Sequence, residues 1–169
     1  SFRDNHIAMA RYLITTRFRR WPLYGLKDPR LCVLLPFWKP IFYALGCKVS
    51  IVHAIRHPMA VARSLEKRNQ LPIATGLELW LEYTRLAFED VDPAWGSVTV
   101  EYDLMMSVPL TQVARIGNVL GLTIHGEATV KFAQETVDGA LWHEVIENDA
   151  GLPDDVAALW RWVRREAMR

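Results

Sequence analysis

The chain has 169 residues, 51% of them hydrophobic, and its 20 lysines and arginines meet 19 aspartates and glutamates to leave a net charge of +1. That length suits one domain, 1–169, with a substantial core, and the even charge excludes a globally basic nucleic-acid surface, so any anion site must be local. Cys32 and Cys47 show neither CxxC nor Cys/His spacing, which argues against a disulfide scaffold or zinc site and for buried thiols in a reducing compartment; no apolar run approaches a membrane span and no signal-like stretch opens the sequence. The expectation is a soluble, cytoplasmic protein.

Helical spacing of Ile7, Ala8, Arg11, Tyr12 and Leu13 predicts a first helix over 5–18, capped by Asp4 or Asn5 and closed by Arg17, Arg19 and Arg20, whose charge suits a helix end. Trp21 to Lys27 reads as a short strand stopped by Pro29. Leu31 to Leu45 is an apolar connection that Pro36 and Pro40 should break into short helices, with Gly46 as a C-cap. Val49, Ile51, Val52 and Ile55 then mark a buried strand ending at Arg56, and Pro58 stands at the first position of a helix running from Met59 to Asn69.

Gln70-Leu71-Pro72 breaks the pattern before an amphipathic helix over 76–90, whose Leu77, Trp80, Leu81, Leu86 and Phe88 read as core. After a loop at Asp92, Pro93 and Gly96, Ser97 to Glu101 forms a third strand with Tyr102 at its end. Pro109 to Leu120 is a helix closed by Gly121, Thr129 to Trp142 is a segment that could dock on the sheet, and 153–165 is a closing helix with acidic first and basic last turns.

The chemistry gathers at strand ends. Ligands of open α/β sheets bind outside the carboxyl ends of the strands, where an arginine can grip an anion with two parallel hydrogen bonds. Arg56 and Ser64 suit that role, or else Arg56 pairs with an acidic neighbour and Ser64 bonds back within its helix. Lys27 could face developing negative charge and Asp28 accept a proton, or Asp28 could pair with Lys27 or Arg30 and pin the turn. Tyr102 is a ligand contact or a core tyrosine with its hydroxyl satisfied.

Three stretches in order resemble PAPS-dependent sulfotransferases of the bacterial, carbohydrate-sulfotransferase-like type: Gly25-Leu26-Lys27-Asp28-Pro29-Arg30-Leu31; Arg56-His57-Pro58 with Ser64 eight positions after the arginine; and Val98-Thr99-Val100-Glu101-Tyr102-Asp103-Leu104. The resemblance runs from about Trp21 to Leu122. It implies a P-loop-NTPase-like parallel sheet flanked by helices, with 3′-phosphoadenosine 5′-phosphosulfate (PAPS) as co-substrate and no metal. Arg56 and Ser64 would hold the 3′-phosphate, Tyr102 would contact the adenine, Lys27 would face the reacting centre and Asp28 would be the candidate base. The acceptor would be a carbohydrate or another small hydroxyl or amine.

The sequence also departs from that family. Pro29 stands where cytosolic sulfotransferases carry a catalytic histidine, and Trp142 replaces an arginine before His143, which reads as structural. No glycine-rich phosphosulfate loop precedes Trp21, and no GxxxxGK[ST] occurs. The expectation is a C-terminal portion of the fold, incomplete at its N-terminus, with an open apolar gap that favours self-association or pairing with a missing N-terminal segment. Two other readings stay open: another phosphate-handling enzyme such as a nucleotide kinase, and a non-catalytic nucleotide- or protein-binding module.

Overall fold

The computed structural model describes residues 2–18, 20–135, 146 and 148–169. The end of the expected docking segment at Trp142, and His143 after it, lie outside the described residues. In chain order the elements are α1 (Phe2–Leu13), a π-helical turn (Ile14–Phe18), α2 (Leu31–Ala44), β1 (Ser50–Ile55), α3 (Pro58–Asn69), α4 (Ile73–Glu89), β2 (Gly96–Glu101), α5 (Tyr102–Ser107), α6 (Pro109–Leu120), α7 (Gly126–Glu135) and α8 (Asp154–Ala167). Helices predominate and flank a small parallel sheet, β1 beside β2, in register from Ser50 opposite Gly96 to Ile55 opposite Glu101.

The sheet has one largely covered face, open at Ser97, and one half-open face. Side chains alternate along a strand, and on the covered face Ile55 joins Ala62 of α3, Leu77 and Trp80 of α4, and Val156, Trp160, Val163 and Ala167 of α8 in the main core. On the other face α6 covers β2, packing Leu120 on Val98 and Val100. The neighbouring half of that face belongs to β1, where Val52 is 47% exposed and Ser50 and Ala54 are open. A third cluster ties α1 and α2 to Trp95 and the start of β1 through Ala10, Ile14, Leu35, Ile41 and Phe42.

Two expected elements turn out differently. Trp21 to Lys27 forms no strand. A strand needs a hydrogen-bonded neighbour, and this segment is fastened by side chains instead: Tyr24 stacks on Phe18 at 4.7 Å and its hydroxyl lies 3.7 Å from Cys47 Sγ, while Trp21 and Leu23 stay exposed. Ser97 to Glu101 is accordingly the second strand, and it starts one residue earlier, at Gly96. Residues 31–44, in turn, form one continuous helix despite Pro36 and Pro40. The two prolines are four residues apart, so they share the exposed side of α2, while Leu35, Ile41 and Phe42 hold the opposite side to the core. Both cysteines are free and half-buried.

The first helix starts earlier than expected, at Phe2, and turns π-helical after Leu13, so Asp4 and Asn5 lie inside it and do not cap it. The glycine signals act as expected. Gly46 and Gly121 end α2 and α6 with φ of 62° and 64°, the left-handed conformation that glycine adopts without strain. Gly76 has a different purpose, because a Cβ there would lie 2.9 Å from Ala62 Cα, where α4 meets α3. In an open helix Gly→Ala gains about 1 kcal/mol of propensity. Here overpacking costing about 1–3 kcal/mol opposes it, so Gly76→Ala is expected to lower the urea midpoint. A raised midpoint would mean that the two helices do not approach so closely.

Candidate functional site

The parallel register sets Arg56 and Tyr102, each one residue past the end of its strand, side by side at the carboxyl edge of the sheet. The Arg56 guanidinium carbon lies 4.4 Å from the centre of the Tyr102 ring. Stacking holds the guanidinium without using its N–H groups, so its hydrogen-bonding fork stays available. Arg56 Nε is buried without a hydrogen-bond partner among the described residues, and the Arg56 backbone carbonyl is fixed by the Trp80 indole N–H at 3.1 Å.

His57 follows and caps α3: its Nδ1 accepts the Met59 N–H at 3.2 Å. The neutral ring therefore carries its proton on Nε2, which is buried and unpartnered among the described residues. The Asn148 backbone lies close enough to favour a protonated ring without reaching hydrogen-bond geometry. Burial outweighs that pull and the attraction of Asp149, and pushes the imidazole below its ordinary pKa. Because Pro58 has no N–H and that of Met59 is taken, the first turn of α3 offers an anion mainly its dipole. The hydrogen bonding falls to Arg56.

Glu101, the last residue of β2, is a site residue that sequence reasoning missed. It is 4% exposed, and its carboxylate meets Arg164 Nε of α8 at 3.4 Å. Burial pushes this carboxyl up and Arg164 opposes the shift. A buried carboxylate at the carboxyl edge of a sheet is a candidate proton acceptor as well as a structural pair. Its sequence signal is a lone glutamate closing the apolar alternation Val98-Thr99-Val100.

The other expected site residues lie apart. Asp28 is gripped by Arg30 through two side-chain hydrogen bonds of 3.0 and 2.7 Å and by the Arg30 backbone N–H at 2.8 Å. Those bonds hold its carboxyl down at about 2, which makes it a weak base. This is one of the ion pairs the sequence left open. Lys27 is exposed, and no hydrogen bond or ion pair among the described residues joins Lys27, Asp28 or Ser64 to Arg56 or Tyr102. Ser64 is exposed on α3 and, within the described residues, does not bond back to its own helix. The structure thus brings together Arg56 and Tyr102 of the five expected residues.

Among the described residues no group of three or more His, Cys, Asp or Glu side chains is arranged to hold a metal ion, and no helix is long and apolar enough to cross a membrane. No protein-family model, curated protein or solved structure matches the chain.

Proposed function

We propose that this chain is the nucleotide-binding portion of a PAPS-dependent sulfotransferase on a P-loop-NTPase-like fold. The observation that carries the reading is the Arg56 guanidinium, stacked on Tyr102 at the carboxyl edge of a parallel sheet with a buried Nε left without a partner among the described residues. A 3′-phosphate would accept from that guanidinium, the exposed Ser64 hydroxyl would add a donor, and the adenine would lie against Tyr102. The reaction would move a sulfuryl group in line from PAPS to a hydroxyl or amine of a carbohydrate or other small acceptor, leaving adenosine 3′,5′-bisphosphate. Lys27 would stabilise the charge on the transferring group. Asp28 could serve as base only once released from Arg30. Among the described residues β1 pairs with β2 alone, so its other edge could take a further strand from another segment or another copy.

The pairing of Asp28 with Arg30 favours a second reading, a module that binds the nucleotide without transferring anything. Calorimetry separates these ideas from a nucleotide kinase. Adenosine 3′,5′-bisphosphate should bind without magnesium and more tightly than adenosine 5′-phosphate. Arg56→Ala should weaken the bisphosphate by about 1.5–3 kcal/mol, the scale of a charged hydrogen bond, and leave the monophosphate nearly unchanged. Equal losses for both ligands would sink the assignment, and binding that requires magnesium would point to the kinase.

A further inference from the structure

Toward the other end of β2 lies a cleft that the nucleotide reading does not use. Its floor is Ser97, Val98 and Thr99, and its volume is about 350 Å³, within the range of small-molecule sites. Among the described residues β2 pairs with β1 along one edge only. The Thr99 carbonyl faces the other edge, where Arg115 of α6 donates to it at 2.7 Å. Because backbone groups alternate in direction along a strand, the Ser97 N–H and C=O turn to the same outer edge.

The walls supply two kinds of chemistry. Val119, one turn beyond Arg115 on α6, lines one side. Trp162 of α8 and Phe88 of α4 line the other, edge to face at 5.0 Å, and Phe88 is itself held by stacking on His53 at 4.1 Å. Trp162 remains 39% exposed, a large aromatic surface open to this cleft. The Arg115 guanidinium is held in place by the Thr99 carbonyl and, at 3.4 Å, by the Glu166 carbonyl. Those two bonds use two of its five N–H groups and neutralise none of its charge. The nearby Glu166 carboxylate is paired with Arg169 at 3.0 Å, and both line the cleft, so with Arg115 the three side chains leave it net positive.

We infer that this cleft binds a small aromatic carboxylate, its ring between Trp162 and Val119 and its carboxylate on Arg115 and the outer edge of β2. A planar carboxylate matches a single pre-positioned guanidinium fork, and the flat aromatic body matches the two apolar walls. The proposal is independent of the nucleotide reading, because its residues are separate from Arg56 and Tyr102.

The test is titration of the chain with 2-naphthoate, followed by backbone amide shifts and by calorimetry, with neutral 2-naphthamide as control. A ligand of this size should bind at about 1 mM or tighter. Shifts should centre on Ser97 and Thr99, and the amide should bind at least about 10-fold more weakly, the scale of a lost charged hydrogen bond. Arg115→Lys keeps the charge but removes the fork and should cost a similar factor. Arg115 also braces β2 against α8, so a second variant is needed: Val119 is 48% exposed, and Val119→Trp should fill the cleft and abolish binding while the protein stays folded. Equal affinity for naphthoate and naphthamide, unchanged binding by Val119→Trp, or no shift at Ser97 and Thr99 up to about 10 mM would each overturn the proposal.

Discussion

Trp160→Ala is expected to destabilise the chain by about 3–5 kcal/mol, the usual result of removing a large buried aromatic side chain. Trp160 is 2% exposed and joins three parts of the molecule: its ring lies edge-on to His57 at 5.2 Å and to Trp80 at 6.2 Å, and Arg164 lies 5.9 Å from it. Its loss would open a cavity between α8, α4 and the residue that caps α3. Domains of this size are stable by only about 5–15 kcal/mol, so much of the folded population could be lost. Trp160→Phe keeps a ring in place and should lose less than half as much. Urea unfolding followed by circular dichroism measures both variants. A loss below about 1 kcal/mol for Trp160→Ala would mean that α8 is not docked on the sheet through this residue.

Where a structural signal is local, the sequence is a sufficient guide. Pro58 after Arg56 marks a strand-to-helix junction because its ring suits a first helical turn, and α3 begins there. Val156, Ala157, Trp160, Val163 and Ala167 recur at helical spacing, which separates buried Trp160 from exposed Trp162 two residues later. The strand expected at Trp21 to Lys27 fails for the opposite reason, since strand formation is decided by a neighbour and not by the segment's own composition. In α2, tertiary packing of Leu35, Ile41 and Phe42 overrides two prolines that local rules treat as breaks.

The same division holds at the site. Arg56 and Tyr102 are legible because each follows the last residue of its strand, and parallel pairing then places strand ends together. Glu101 acquires its character from Arg164, 63 residues further along, and from burial under α8. Neither can be read from the residues around it. Asp28 shows how a short-range contact can redirect a candidate: Arg30, two positions on, satisfies both carboxylate oxygens and turns a possible base into half of an ion pair.

His53 gives the protein an acid-sensitive core. It lies on β1, is 8% exposed, and stacks on Phe88 at 4.1 Å with an interplanar angle of 16°. Burial lowers its pKa from 6.5 to about 4. Between those values the unfolded chain binds the proton and the folded chain does not, so stability falls as pH drops from 6.5 towards 4 and changes no further, on this account, once both states are protonated. Each pH unit in that interval costs about 1.4 kcal/mol, which brings the full loss to about 3 kcal/mol. His57, also pushed down by burial, acts in the same direction, whereas the raised Glu101 carboxyl makes the folded state hold its proton more tightly and acts oppositely. The contribution of His53 is therefore isolated by comparison with His53→Leu, which fills a similar volume and cannot titrate. Urea unfolding of both proteins at pH 7.5 and pH 4 should show the parent losing about 3 kcal/mol more than the variant on acidification. Parallel losses would mean that His53 protonates in the folded state near its ordinary pKa, and that the ring is not closed off from water between β1 and α4.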